Sequence, residues 1–280
     1  MASIEQQAQP AITAEERFAF GKNWANFASE MSTQRIEAAI SSLREKLGDL
    51  TGESFLDIGS GSGLHSLAAV RLGATRVHSF DYDRESVVTA QTLRMSFASN
   101  ADWKVEQGSA LNEKYIRSLG DFDVVYSWGV LHHTGDMWKA LELAAIPTKA
   151  GGRLFVSIYN DQGKLSDRWK RMKKMYVNGN WATRRLLEWF VWCVGWGKNF
   201  LRDIITLRPT HTWNIYRYYH EQRGMSPWHD VVDWAGGYPF EVAKPEEVFD
   251  FFRVRGFVLE RMKTCGGGLG CNEFVFRRER

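Results

Sequence analysis

Cysteine is scarce in this chain of 280 residues, which has only Cys193, Cys265 and Cys271. The odd count argues against a disulfide framework, and the start of the chain lacks the basic stretch, apolar run and cleavage site of a secretory signal. The expectation is therefore a cytoplasmic protein with reduced thiols. Cys265 and Cys271 have no His cluster beside them, which leaves any metal site incomplete, so both are read as structural thiols and no metal is expected. A composition bias towards fibrous or disordered chains is also missing: 44% of residues are hydrophobic and 25% charged, ordinary for a globular protein. The length suits one large domain or a domain carrying an insertion.

An excess of one charge is missing too, since 36 Lys and Arg nearly balance 33 Asp and Glu. The balance hides an asymmetry. Thirteen of the basic residues but four of the acidic ones fall between Lys164 and Arg223, giving that stretch +9 and the remainder −6. Six of the twelve tryptophans lie there as well, the mark of a separate module within a more conventional domain.

The first ten residues are polar and end at Pro10, so order is expected from about Thr13. Thr13-Ala-Glu-Glu reads as a helix start, and Ile36, Ala39, Ile40, Leu43 and Leu47 keep helical spacing. Short apolar runs then follow: Phe55 to Ile58, Arg76 to Phe80, Trp103 to Gln107, Phe122 to Trp128 and Arg153 to Tyr159. Helical segments at Gly63 to Leu72, Glu85 to Ala98 and Met137 to Ala145 separate them. Strand-helix alternation of this kind predicts a doubly wound α/β fold with a parallel sheet. After an interruption from about Asn160 to Gly237, helix Pro245 to Arg255 and strands Phe257 to Thr264 and Glu273 to Arg277 complete it. The closing strands form a hairpin, so the last of seven strands runs antiparallel. The interruption has no strand alternation and reads as a helical insertion.

Phe55-Leu-Asp-Ile-Gly-Ser-Gly-Ser-Gly63 carries the chemistry: an apolar strand enters a loop of alternate glycines and then a helix near Leu64. Glycines let a ligand approach the backbone, and free N–H groups at the helix start favour a polar or anionic group. A nucleoside-containing ligand is expected. The third glycine of a dinucleotide fingerprint is replaced by the Leu64 spacing, which disfavours a nicotinamide cofactor. The second apolar strand ends in Asp81, where a carboxylate can accept both ribose hydroxyls. Asp83 is read as the cap of the following helix.

With these residues in view, the chain resembles the class I S-adenosylmethionine-dependent methyltransferases, particularly the small-molecule type that includes the ubiquinone-pathway methylases. Five pieces match in order: Leu56 to Gly63, Phe80 to Asp83, Gln107 to Ala110, Phe122 to His133 and Ala150 to Leu154. The resemblance implies a Rossmann-like fold and S-adenosylmethionine as cofactor. It places Gly59 and Gly61 on the methionine and ribose portion and Asp81 on the ribose, with Asp57, Ser60, Gly63 and Tyr82 also expected to bind the cofactor. Ser109 and Ala110 would lie beside the adenine, and Trp128 is a further cofactor-binding candidate at a strand end. Two positions depart from the family's pattern. Ser109 stands where an acidic residue is common, and Ala150 where Pro usually precedes the paired glycines. The aromatic segment Phe18 to Phe27 reads either as a lid over the cofactor, through Phe20 and Trp24, or as a helix packed on the sheet.

Methyl transfer from a sulfonium mostly requires alignment of the acceptor and, for a hydroxyl, removal of its proton. Strand ends on the ligand side would bring Tyr159, Asn160, Tyr238 and Asn272 to the acceptor. His132 and His133 follow the fourth strand and one of them could act as general base, His132 being the assigned candidate, set against a packing or hydrogen-bonding role in the loop. His229 and Asp233, four residues apart on one helix face, form a second candidate pair, with anchorage of the insertion as the alternative.

Four segments are thus expected: 1–50 as N-terminal helices and lid, 51–160 as the cofactor domain, 161–240 as a helical substrate cap, and 241–280 completing the sheet. In the cap, Trp189, Trp192, Trp196 and Phe200 recur on one helical face, flanked by Arg184, Arg185, Lys198 and Arg202. Leu186 to Trp196 is too short to span a bilayer. Three readings stay open: a cover for the substrate pocket or a homodimer contact, a membrane-surface contact through 184–202 for a lipid-like substrate, and a patch for an anionic substrate or nucleic acid. No recognised RNA-binding motif supports the last. A small or lipid-like acceptor, methylated on oxygen or nitrogen, is the leading expectation; RNA modification and a catalytically inactive cofactor-binding scaffold are the alternatives.

Overall fold

A computed structural model of the chain describes residues 32–206, 210–217 and 227–279, apart from the side chains of Lys198, Thr210, His211, Ile215 and His229. The expected helix from Thr13 and the lid residues Phe20 and Trp24 lie outside the described residues.

Helix α1 (Thr33–Leu47) starts where the Ser32 side chain accepts from the Arg35 N–H and buries Ile36, Ala39, Ile40, Leu43 and Leu47, the spacing read from sequence. The alternation that follows is β1 (Ser54–Ile58), α2 (Leu64–Arg71), β2 (Arg76–Asp81), α3 (Arg84–Phe97), β3 (Trp103–Gln107), α4 (Glu113–Ser118), β4 (Phe122–Trp128), a 3-10 turn (Leu131–His133), α5 (Met137–Ala145) and β5 (Thr148–Tyr159). Asp83 caps α3 as expected, accepting from the Glu85 N–H at 2.8 Å. Helix α4 is absent from the sequence reading. It has a single buried residue, Ile116, so no periodic pattern announces it; its start is marked by Asn112, which accepts from the Tyr115 N–H.

The sheet has seven strands in the order β3-β2-β1-β4-β5-β7-β6, where β6 is Phe257–Lys263 and β7 is Cys271–Arg278. Pairings among β1 to β5 are parallel, while β7 runs antiparallel to both β5 and β6. This is the expected mostly parallel, Rossmann-like arrangement. The chain winds outwards through β2 and β3 on one side of β1 and through β4 and β5 on the other, so the crevice between β1 and β4 is the topological switch point where ligands settle.

Side-chain alternation along β1 divides the core. Leu56 and Ile58 join the layer of α5 and α10 (Pro245–Arg253), while Phe55 joins α1 and α2 on the opposite face. Between β5 and α10 the described chain is helical: α6 (Lys164–Asn178), α7 (Trp181–Thr206), α8 (Thr210–Arg217) and α9 (Pro227–Gly236). This insertion has a small core of its own, in which Trp169, Met172 and Tyr176 of α6 meet Leu187 and Val191 of α7 and Val231 and Ala235 of α9.

Candidate active site

Beyond Ile58 the chain turns sharply into α2, and the glycines there answer to distinct constraints. Gly59 has φ +73°, and a Cβ on it would lie 2.3 Å from Val130 Cγ1. The loop therefore needs both a left-handed backbone and an empty side-chain position. The N–H groups of Gly59 and Ser60 donate to the Phe80 carbonyl at 2.9 and 3.1 Å, binding the loop to the end of β2. Gly63, at φ +79°, brings α2 against α3, since its Cβ would stand 2.9 Å from Ala90 Cβ. It does not line the cleft, so the role assigned to it from sequence gives way to packing.

Asp81 is held from two sides. Oδ2 accepts from the Gly61 N–H and Oδ1 from the Asp83 N–H, both at 2.9 Å. Burial pushes its carboxyl up to about 6, against the pull of those N–H groups. Asp57, buried at the cleft floor, accepts from Ser66 Oγ at 2.6 Å; burial raises it to about 7, the Ser66 hydroxyl opposes this, and Asp81 adds to it.

These groups line one end of a cleft of about 1190 Å³, larger than the roughly 300–1,000 Å³ of an ordinary ligand pocket. Gly108, Ser109, Ala110 and Leu111 form its side beyond Asp81 and Tyr82. The Ser109 hydroxyl accepts from the Leu111 N–H at 3.2 Å and so closes its own turn. Trp128 is half exposed at the rim, its Nε1–H donating to Glu273, which also pairs with Lys46 of α1. The far end is built from His133, Tyr159, Trp169, Trp196, Trp234 and Tyr238, with Asp230 and Asp233 of α9. The insertion thus roofs the same cleft that the glycine loop floors.

The candidates named from sequence separate here. Tyr159, Tyr238 and Asp233 line the cleft. His229 falls in α9, its side chain outside those described. Asn160 and Asn272 do not line the cleft; Asn272 Nδ2 donates to Asn160 Oδ1 at 3.0 Å and Asn272 Oδ1 accepts from the Cys265 N–H, so the pair fastens the loop after β6 to the end of β5. His132 is wholly buried beneath the cleft, its ring centroid 4.1 Å from that of Tyr159, and burial together with His133 holds its pKa well below the ordinary imidazole value. It is not placed to touch an acceptor. Cys265 and Cys271 are free thiols.

Three residues stand out, of which sequence reasoning raised His133 only beside the preferred His132 and did not assign His65 or Lys173. His133 lines the cleft one residue beyond His132, with Nδ1 2.6 Å from the Pro239 carbonyl oxygen. His65, also at the cleft, packs on Tyr126 and is lowered to about 4 by burial and Lys46. Lys173 of α6 is buried, donates to the Trp234 carbonyl, and has Nζ 4.1 Å from the Trp234 ring centroid. Burial lowers it to about 7, with Asp233 opposing the shift. Nothing in the basic run around Lys173 distinguishes it from its exposed neighbours; only packing selects it.

Among the described residues no group of three metal-ligating side chains occurs. The family model described as a methyltransferase domain matches residues 49–223, more than half of the chain. The chain belongs to this family. Membership agrees with the class I resemblance carried by the glycine loop and Asp81. Curated relatives include the ubiquinone biosynthesis O-methyltransferases of Xanthomonas oryzae pv. oryzae (strain PXO99A), 32% identical over 112 residues, or 40% of this chain and 45% of that protein. The same enzyme of Escherichia coli O157:H7 (strain EC4115 / EHEC) is 30% identical over 125 residues, covering 45% and 50%. The chain spans about half the length of the curated relatives it matches. Among solved structures, magnesium protoporphyrin IX methyltransferase from Synechocystis PCC 6803 with bound SAM aligns with TM-score 0.54 and 13% identity, over 97% of this chain and 100% of that one. An S-adenosylmethionine dependent methyltransferase from Mesorhizobium loti aligns at 0.52 and 14%, over 87% and 100%. At these identities the likeness is one of fold.

Proposed function

We propose that the chain binds S-adenosylmethionine at the glycine-loop end of the cleft and transfers its methyl group to an oxygen or nitrogen of a small, largely apolar acceptor held beneath the insertion. The observation that carries this reading is Asp81, fixed by Gly61 and Asp83 beside the glycine loop. The residues present fit such a group. Asp81 offers its oxygens to ribose hydroxyls, and Asp57 presents a carboxylate to the cationic end. Ser60 Oγ, buried in the loop, has no hydrogen-bond partner among the described residues and suits a polar atom of the ligand. When bound, the sulfonium supplies an activated methyl group; the protein's share is to align the acceptor and exclude water. Trp169, Trp196, Trp234 and Tyr159 supply an aromatic enclosure for that purpose.

No Lys or Arg among the described residues lines the cleft, although the insertion is strongly basic. This supports a neutral or cationic acceptor over RNA. The reading is tested by calorimetry with S-adenosylhomocysteine on Asp81→Ala and Gly61→Val, and by labelled methyl transfer into cell extract fractionated into lipids, metabolites and RNA. Unchanged affinity in both variants would overturn the cofactor site; label in RNA would overturn the acceptor class.

The outer face of α7 supports a finer reading of partners. Leu187 and Val191 are buried, while Leu186, Phe190, Leu201, Ile204 and Ile205 are exposed, Ile204 and Ile205 each 71%. Arg184 caps the carbonyls of Tyr176 and Val177, and Arg185 pairs with Glu188, so these two cations serve the insertion itself. Lys164, Arg168, Arg171 and Lys174 of α6 remain exposed. Exposed apolar side chains on α7 and exposed cations on α6 of the same insertion suit an anionic bilayer surface, with the helix lying on it, since no described helix is long and apolar enough to cross a membrane. Sedimentation with vesicles containing phosphatidylserine but not with neutral ones is expected; a concentration-dependent dimer without vesicle binding would overturn it.

A further inference from the structure

His133 sits at the junction of the two halves of the cleft. Its 3-10 turn begins beside Val130, which packs on Gly59 of the cofactor loop, and its ring meets Tyr159 of β5 edge-on with centroids 5.6 Å apart. The Nδ1 contact to the Pro239 carbonyl, at 2.6 Å, admits one arrangement in a neutral imidazole: a carbonyl only accepts, so Nδ1 carries the hydrogen and Nε2 the lone pair. A ring whose tautomer is set by a backbone acceptor, at the wall of a cleft, is the usual design of a histidine base.

We propose that His133 is the general base of the methyl transfer, an assignment that rests on the reading above and narrows the acceptor to one whose hydroxyl must be deprotonated. The acceptor oxygen forms a bond to the methyl carbon while the carbon–sulfur pair returns to sulfur. The hydroxyl proton passes to Nε2 of His133. The positive charge lost at sulfur reappears on the imidazolium, which the Pro239 carbonyl stabilises through Nδ1–H, and the proton then leaves to water.

The titratable groups that act on or pack against His133 are His132 on its own turn, Tyr159 of β5 and Lys173 of α6, with Asp233 of α9 acting on Lys173 and lining the same cleft. A Cβ on Gly237 would lie 3.3 Å from His133 Cε1 and 3.6 Å from Lys173 Nζ, so the ring and the amine border the same glycine. Burial and Lys173 hold His133 at about 4, and the Pro239 carbonyl opposes them. The base is consequently unprotonated through the neutral range. A base this weak contributes at the lower end of the usual span, about a hundredfold.

The test follows kcat for wild type, His133→Gln and His133→Asn from about pH 6 to about pH 9, using the extract fraction that takes up labelled methyl. Both variants are expected to lose about a hundredfold in kcat near pH 7 while binding S-adenosylhomocysteine as wild type does. Their log kcat should rise with pH with a slope near one, because the acceptor must then ionise by itself; the wild-type profile should be flat. Nitrogen-detected NMR of histidine-labelled protein should show the neutral Nδ1–H tautomer. Variants within twofold of wild type with the same pH profile, or an Nε2–H tautomer, overturn the assignment alone. Absence of transfer by the wild type overturns the underlying reading and this assignment with it.

Discussion

The backbone N–H of Gly61 donates to Asp81 Oδ2 at 2.9 Å, so the loop after β1 and the end of β2 form one rigid frame. The carboxylate that faces the ligand is oriented before any ligand arrives, which lowers the ordering cost of binding. Both the glycine, which lets the backbone approach, and the aspartate are required for this arrangement.

Replacing Asp81 by Asn keeps the size and one acceptor but puts an NH2 group opposite either Gly61 N–H or Asp83 N–H. The affinity for S-adenosylhomocysteine should fall about tenfold to a hundredfold, the cost of losing hydrogen bonds to a charged group at roughly 1.5–3 kcal/mol. Isothermal calorimetry measures it directly.

Asp57 and Asp81 are raised to about 7 and about 6 by burial. Raised carboxyls favour the folded, ligand-free protein when protonated, and that contribution is lost as pH rises from the ordinary carboxylate range through these values. A cationic ligand favours the ionised forms instead. Affinity for S-adenosylmethionine should therefore strengthen between about pH 5 and about pH 8, with a shallower dependence for the neutral-sulfur product. Equal pH slopes for the two ligands would contradict this account.

At Gly59 an alanine meets Val130 at 2.3 Å and a left-handed φ together. Overpacking typically costs about 1–3 kcal/mol, and the strain adds to it. Gly59→Ala should lower the melting temperature and abolish cofactor binding, whereas Gly63→Ala, against Ala90 of α3, should lower stability with less effect on affinity. Thermal unfolding with and without S-adenosylhomocysteine separates the two outcomes.

Lys173 titrates near 7 in the folded protein, well below the ordinary lysine value, because burial penalises its charge. The unfolded chain then holds more protons between about pH 7 and about pH 10, and stability rises with pH in that window by at most about 1.4 kcal/mol per unit. Lys173→Met should flatten this rise. Denaturant unfolding at several pH values would show it.

The fold was legible because its signals are local. Strands β1 to β5 and the helices between them follow apolar runs and glycine turns, and α1 buries the five residues that helical spacing picks out. Asp81 is likewise identified by its place at a strand end, since parallel strands in a doubly wound sheet aim their carboxyl ends at one crevice. Helix α4 escaped because six residues with one buried side chain leave no period to detect.

The far half of the site was legible only in part: Tyr159, Tyr238 and Asp233 were named from sequence and line it, but other positions were not distinguished. His132 and His133 are adjacent and chemically identical in the sequence, yet a 3-10 turn sends one into the core and the other to the cleft. Asn160 and Asn272 are 112 residues apart, and their pairing exists only because β5 and β7 lie side by side in antiparallel register. Lys173 is one cation in a basic run until α9 closes over it. Sequence alone determined the order of the strands, the glycine loop and the acidic strand end, all set by periodicity and backbone permissiveness within a few residues. Tertiary structure decided which histidine meets the cleft, which lysine is desolvated and which asparagines merely fasten loops, because burial and hydrogen bonding across distant segments depend on the packed insertion.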